Sequence, residues 1–351
     1  MNRGRWLWVV LACSGISLWA QQPATVPTGK PVSQATQIRF DVVVTDKAGH
    51  PITGLQQSDF TLLDDKHPAT IQAFMAHTEG SQDSLEGAVI VIDTVNVGFS
   101  AVSVARGQLE NLLRRYGNHL PFPMVMTLLT DTGLQTVGPG SADGTVLLAQ
   151  LSQQRGLLRE LNRSSGFWGA TELLSTSING LEQIAQFEAN TPGRKLVIWV
   201  SPGWPIFDSP NLIVTDQQHH AIFGEIVKLS DDLRAGQATV YDVDPLGTAD
   251  AGSYRTFLWE SFVKPPTKWD QANPGNLALQ ALAIQSGGQV LNSSNDVAGE
   301  VDKCMQDGKA WYTVTFDAET AEKPETWHSV QIKVDKPGMT VRTRNGYYAQ
   351  P

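Results

Sequence analysis

Four short stretches of this chain are almost wholly apolar and rich in β-branched residues: Ala88-Val89-Ile90-Val91-Ile92, residues 124–129, Leu196-Val197-Ile198-Trp199-Val200 and Thr239-Val240-Tyr241-Asp242-Val243. A strand with one wet face alternates apolar and polar residues. A run with almost no polar break belongs to a strand buried on both faces, the condition of a parallel sheet covered by helices. Segments with helical spacing lie between and after these runs, at 103–116, 145–151, 171–187, 215–233 and 277–286. In 171–187 the apolar stripe is Leu174, Ile178, Leu181, Ile184 and Ala185, and Thr191-Pro192-Gly193 ends it. Residues 134–137 pair beside the second strand, and Gln289-Val290-Leu291 reads as a fifth. The alternation predicts an α/β fold with a doubly wound, mostly parallel sheet.

The flanks follow a different rule. Ile38, Phe40, Val42 and Val44 recur at every second position, and two more strands lie around Asp64-Asp65-Lys66, marked by Phe60 and Leu62 and by Ile71 and Phe74. Near the far end Trp311 to Phe316, Val330-Ile332-Val334 and Val341-Thr343 alternate in the same way. Neither terminal group has enough strands to be stable alone. The two are expected to join into one small discontinuous β-sandwich, residues 37–80 plus 308–349, into which the α/β part, residues 86–303, is inserted.

Composition narrows the function. The chain has 351 residues and a net charge of −9, so it lacks the basic field of a nucleic-acid binder. Two cysteines exclude a disulfide-rich scaffold and a four-cysteine zinc site. Asn2-Arg3-Gly4-Arg5, then uncharged residues from Trp6 to Ala20, read as a signal peptide over 1–20, followed by a polar linker over 21–36. The apolar run falls short of the ~20 residues of a membrane span. Cys13 follows Val10-Leu11-Ala12, a faint likeness to a lipidation signal; otherwise it is one more apolar residue of the leader. Removing the leader takes the net charge from −9 to about −11 and leaves Cys304 as the single thiol. A secreted, periplasmic or cell-envelope location follows.

Ligands in a parallel sheet bind at the carboxyl ends of the strands. Those ends here are Asp93-Thr94-Val95-Asn96-Val97, Gly169-Ala170-Thr171-Glu172-Leu173 and Val200-Ser201-Pro202-Gly203. With Leu282-Ala283-Ile284-Gln285-Ser286-Gly287-Gly288, their order and spacing resemble a von Willebrand factor A-type (VWFA) domain. The flanks, Val42-Val43-Val44-Thr45-Asp46-Lys47-Ala48-Gly49 with Gly54-Leu55 and Asp59-Phe60, and Arg342-Thr343-Arg344-Asn345-Gly346-Tyr347-Tyr348-Ala349, resemble the VWFA-related proteins common in acidobacteria. The likeness covers residues 37–349. It implies a metal-ion-dependent adhesion site built on Asp-x-Ser-x-Ser, a Thr and a late Asp. Here the two Ser positions are Val95 and Val97, and the late Asp position is Pro202. A hard cation needs several oxygen ligands. Only Asp93 and Thr171 match, with Asn96, Ser201 and Asp131 as neighbours. The site is therefore expected to be degenerate and to use no cofactor, with Asp93 capping its loop and Thr171 capping its helix. Retained Mg²⁺ or Ca²⁺ would sit on Asp93 and Thr171.

Other candidates are weaker. Adjacent His219 and His220 point about 100° apart on a helix and read as a solvated face. The sequence contains no Gly-x-Ser-x-Gly elbow and no phosphate-binding loop. Asp231-Asp232 and Asp242-x-Asp244 are carboxylate pairs, and Asp244-Pro245 reads as a strand-end turn. Residues 247–274 carry Tyr254, Phe257, Trp259, Phe262 and Trp269 among Arg255, Lys264 and Lys268. They form either a binding surface or a lid over the sheet edge. The resulting expectation is an exported, non-enzymatic, adhesion-like module. It binds a protein partner through Asp93, Asn96, Thr171, Ser201, Tyr254, Phe257 and Trp259. An envelope hydrolase using Asp93, Asp131 and Ser201, and a structural spacer, stand as alternatives.

Overall fold

The computed structural model describes residues 37–79, 87–154, 166–206, 214–249, 258–318 and 323–349. The leader, the linker, Tyr254 and Phe257 lie outside them. In chain order the strands are β1 (Gln37–Thr45), β2 (Phe60–Asp64), β3 (His67–Pro68), β4 (Ile71–Thr78), β5 (Gly87–Asp93), β6 (Met124–Thr130), β7 (Gly133–Thr136), β8 (Lys195–Val200), β9 (Ala238–Val243), β10 (Val290–Leu291), β11 (Ala310–Asp317), β12 (Thr326–Val334), β13 (Thr340–Arg342) and β14 (Gly346–Ala349). The helices are α1 (Phe99–Tyr116), α2 (Gly144–Gln153), α3 (Gly166–Glu188), α4 (Asp216–Ala235), α5 (Leu279–Gln285) and α6 (Val297–Gln306). Among the described residues no helix is long and apolar enough to cross a membrane.

The central sheet runs β10-β9-β8-β5-β6-β7, parallel throughout except for β7, which is antiparallel to β6. The apolar runs are explained by two separate cores. Ala88, Ile90 and Ile92 of β5 face a core closed by α1, α2 and α6. Val89 and Val91 face a second core closed by α3, α4 and α5. Every residue of β5 after Gly87 is buried, so no polar alternation survives. The chain winds from β5 outward through β6 and β7, then returns through α3 to β8 on the other side of β5. That reversal places a crevice at the carboxyl ends of β5 and β8.

Helix α6 was not foreseen. It carries Cys304, fully buried, and burial pushes its thiol well above the ordinary range, so this thiol is unreactive as placed. Between α3 and α4, Glu225 faces Glu182. Burial first, then the hydrogen bond and charge of Glu182, holds the Glu225 carboxyl above its usual range. The folded state thus keeps this proton to higher pH than the unfolded chain, and stability falls as pH rises through the folded value. Glu225→Gln is expected to raise the melting midpoint by about 2 °C at most near pH ~7 and to leave it unchanged below pH ~4, read by calorimetry at both pH values.

The other two sheets are built from both ends of the chain. One has the order β13-β1-β11-β4 and the other β14-β12-β2-β3. Phe40, Val42, Phe60, Leu62, Tyr312, Val314, Phe316, Val330, Ile332 and Tyr347 share one core between them. Val43 and Trp311 point the opposite way and join the core that α1, α2 and α6 close over the central sheet. This explains why Val42-Val43-Val44 breaks strict alternation: β1 is covered on both faces. The three sheets belong to one compact unit, Ala35–Pro351.

A buried ionic clasp fixes the junction. Asp307 is 1% exposed and receives two bonds from the Arg342 guanidinium, at 2.5 and 2.7 Å, and one from the Tyr241 hydroxyl at 2.8 Å. Arg194 donates to the Asp307 carbonyl at 2.6 Å and lies 5.5 Å over the Trp311 ring. Arg344 donates to the Ala238 carbonyl at 2.8 Å, and burial lowers its pKa to about 10.

Candidate functional site

Strand β5 ends on Asp93, and the next five residues turn before α1 begins. Asp93 is fully buried. Its Oδ1 accepts from the backbone N–H groups of Val95 (2.8 Å) and Asn96 (2.9 Å). Its Oδ2 accepts from Asn96 Nδ2 (2.8 Å) and from the Trp199 indole N–H (3.1 Å). A carboxylate has about four lone-pair positions, and here four donors use them. Asp93 closes the loop on itself and ties it to β8. It can meet a cation only by giving up these bonds.

The loop is also held from below. Val95 is buried in the α3–α4–α5 core and Val97 in the α1–α2–α6 core. The two positions that offer hydroxyl ligands in the resembling pattern are here apolar anchors, one into each side of the sheet. Asn96 bridges the loop to α3, its Nδ2 also donating to Ser177 Oγ at 2.8 Å. Ser177 in turn donates to the Leu173 carbonyl at 2.8 Å.

Helix α3 starts at Gly166, so Thr171 lies inside its second turn and is not the helix cap expected from sequence. It is half-buried. Ser177, six residues on, bonds α3 to the Asp93 loop, and sequence reasoning missed it.

Strand β8 ends in Ser201-Pro202-Gly203. Ser201 is fully buried and accepts from the Gly203 N–H at 3.2 Å. Gly203 has φ 97°, and a Cβ there would lie 2.0 Å from Gln280 Nε2, so glycine is required. Gln280, from α5, donates to the Pro202 carbonyl at 3.2 Å. Trp204 is buried and meets Trp199 edge-to-face, centroids 5.2 Å apart. Two indoles thus fill the space beneath the crevice. Trp199 had a readable signal: a tryptophan inside an aliphatic run brings a buried N–H that needs an acceptor. Asp131 is exposed on the turn after β6. Asp244 accepts from the Leu246 N–H at 2.8 Å, as expected of a strand-end turn.

The described part of the aromatic segment is tied down. Asn276 Nδ2 donates to the Phe262 carbonyl at 3.0 Å, Gln285 to the Val263 carbonyl at 3.1 Å, and Tyr348 Oη to the Pro266 carbonyl at 2.9 Å. The Phe262 ring lies against Gly275. Trp259 is half-buried. The histidine pair is part of this attachment and not simply a solvated face: His219 Nδ1 is 2.7 Å from the Ala272 carbonyl, and the His220 ring stacks on Trp269 at 4.0 Å.

Apolar side chains do reach solvent at this edge. Phe99, which opens α1, is 49% exposed, and Trp168, in the first turn of α3, is 79% exposed. Because α3 leads into the start of β8, its first turn lies at the carboxyl edge of the sheet.

No protein-family model matches the sequence, and no curated protein matches it. Solved structures give only distant likenesses. A mutant of the PilB minor pilin from Streptococcus sanguinis is 10% identical at a TM-score of 0.38, over 65% of this chain and 62% of the pilin. The manganese-loaded TRAP protein of Plasmodium vivax is 10% identical at 0.36, over 78% of this chain and 98% of that one. A von Willebrand factor type A protein from Catenulispora acidiphila is 10% identical at 0.35, over 91% and 75%. The chain spans less than two thirds of the pilin's length. At these values nothing of the neighbours' ligands or partners transfers to this chain.

Proposed function

We propose that this chain is an exported, non-enzymatic, adhesion-like module that binds a protein partner at the carboxyl edge of its central sheet without a metal at Asp93. The carrying observation is the state of Asp93: four donors occupy its carboxylate, and valines stand where ligand hydroxyls would be. The hydrolase alternative needs a carboxylate available for proton transfer, and this one is committed to structure. In this reading Asp93 and Ser201 shape the edge. Contact falls to Phe99 and Trp168, with Asn96, Thr171 and Trp259 at the rim and Tyr254 and Phe257 on the adjoining segment. Exposed tryptophan is the side chain most enriched at binding hot spots.

The test uses one helix as its own control. Trp168 and Phe187 are both strongly exposed, at opposite ends of α3 and about 28 Å apart along its axis. A photo-crosslinking residue at 168 is expected to capture a discrete species in the native envelope, and one at 187 is not. Purified mature chain should compete for the adduct, Trp168→Ser chain should not, and chelator should leave the adduct intact. Equal capture from both positions, or no capture from 168, overturns the reading.

A further inference from the structure

Away from the carboxyl edge, two polar residues occupy places where the β-sandwich pattern calls for apolar ones. In β2 the inward positions are Phe60, Leu62 and Asp64, and in β12 they are His328, Val330 and Ile332. Asp64 is 1% exposed and His328 6% exposed. Burying a carboxylate and an imidazole costs free energy unless both are partnered.

Their partnering is incomplete. Tyr347 donates its hydroxyl to Asp64 Oδ2 at 2.7 Å, and its ring stacks on His328, centroids 5.2 Å apart. Asp64 Oδ1 and His328 Nδ1 have no hydrogen-bond partner among the described residues. These two atoms face each other at 3.4 Å, and Asp65 Oδ2 lies 3.6 Å from the same nitrogen. Asp65 is aimed there by the hairpin turn. Asp65 and Lys66 both have positive φ, 44° and 71°, the two-residue form that suits antiparallel strands. The Ser329 N–H bonds Asp65 Oδ1 at 2.9 Å, leaving Oδ2 toward the ring. Each carboxylate therefore spends one oxygen on a structural bond and turns the other toward the imidazole nitrogen.

Two carboxylate oxygens and an imidazole nitrogen converging in a largely buried place need a hydrogen or a cation between them. We propose that Asp64, Asp65 and His328 form a binding site for a divalent transition metal, with zinc the best fit. Tetrahedral zinc with bonds of about 2.0 Å to nitrogen and oxygen separates its ligand atoms by about 3.3 Å. The two distances from Nδ1, 3.4 and 3.6 Å, lie close to that edge, and all three ligand atoms fall within 4.8 Å of one another. Calcium prefers six to eight oxygens and magnesium an octahedral oxygen shell, and neither matches one imidazole with two single carboxylate oxygens. The Tyr347 hydroxyl and the Ser329 N–H orient the ligands from behind. The Asp65 side chain is 44% exposed, which gives the ion its entry and leaves room for a water as fourth ligand.

The competing occupant is a hydrogen on His328 Nδ1, donated to the two carboxylates. Titration of the chelator-stripped mature chain with Zn²⁺ near pH ~7, followed by calorimetry, separates the two. The test variant is Asp65→Asn, because asparagine tolerates the positive φ of the exposed turn. We expect one zinc per chain and an affinity at least ~10-fold weaker in the variant. Zinc should raise the melting midpoint of the wild type and not of the variant. Cobalt in place of zinc should give a visible tetrahedral absorption band that Asp65→Asn loses. Absence of zinc binding, or equal zinc binding in both proteins, overturns the proposal and leaves the hydrogen as occupant. The site uses sandwich residues alone, so it stands or falls separately from partner binding at the sheet edge.

Discussion

Replacing Asp93 with alanine is expected to lower stability by about 3–5 kcal/mol, an effect far larger than an exposed loop residue produces. Four donors lose their acceptor at once: the Val95 and Asn96 N–H groups, Asn96 Nδ2 and Trp199 Nε1. An unsatisfied buried donor costs about 1–3 kcal/mol, and the four are not independent, so the total falls short of their sum. Urea denaturation reads the change as a shifted midpoint with an unchanged slope. Asp93→Asn sharpens the result. It keeps the shape and one acceptor, but its amide meets Asn96 Nδ2 and Trp199 Nε1 donor to donor. If Asp93 serves the loop, chelator changes the stability of the wild type and of Asp93→Asn by the same amount, whatever the separate sandwich site contributes. A chelator-induced loss that the Asn variant lacks would instead mean that a cation is held at Asp93.

The second large effect is expected at Asp307→Ala, which should cost about 3–5 kcal/mol because it strands a guanidinium that is only 18% exposed. Burial opposes the charge of Arg342, yet the bonds and charge of Asp307 outweigh it and raise its pKa. Removing Asp307 also leaves the Tyr241 hydroxyl without its acceptor. Two apolar residues in place of Asp307 and Arg342 should recover much of the loss. The double-mutant cycle should then give a coupling above about 1.5 kcal/mol, measured by the same denaturant titrations. Additive single effects would mean that the clasp contributes through packing and not through pairing.

The central sheet was legible because its strands obey one condition throughout. Ala88 to Ile92 are buried on both faces, and a run with no polar break states that directly. The helices were legible for the complementary reason, one apolar stripe each. Boundaries were less so. Helix α3 begins five residues before Thr171, where the sequence reading had placed the cap. Helix α6 hid behind a mixed composition, with Glu300 and Asp302 set among Val297, Val301 and Cys304. The site divided along similar lines. Val95 and Val97 were visible as missing ligands, but their seats in opposite cores were not. Ser177, Trp199 and Gln280 converge on the crevice from three elements, and residues so far apart in sequence carry no spacing rule that would join them.

The sheet order β13-β1-β11-β4 also bears on when this chain can fold. Gln37 pairs with Asp317, and Thr78 with Ala310, so β11 is the strand that joins the first and fourth strands of the molecule. Closing such distant pairs is slow compared with closing neighbours. During synthesis, β1 and β4 lack their shared neighbour until residues 310–317 emerge. Unpaired strand edges are templates for association with other chains. The α/β part meanwhile has its own strands and helices in sequence. The order of events is therefore set by topology: the α/β part can condense first, and β11 then joins β1 to β4.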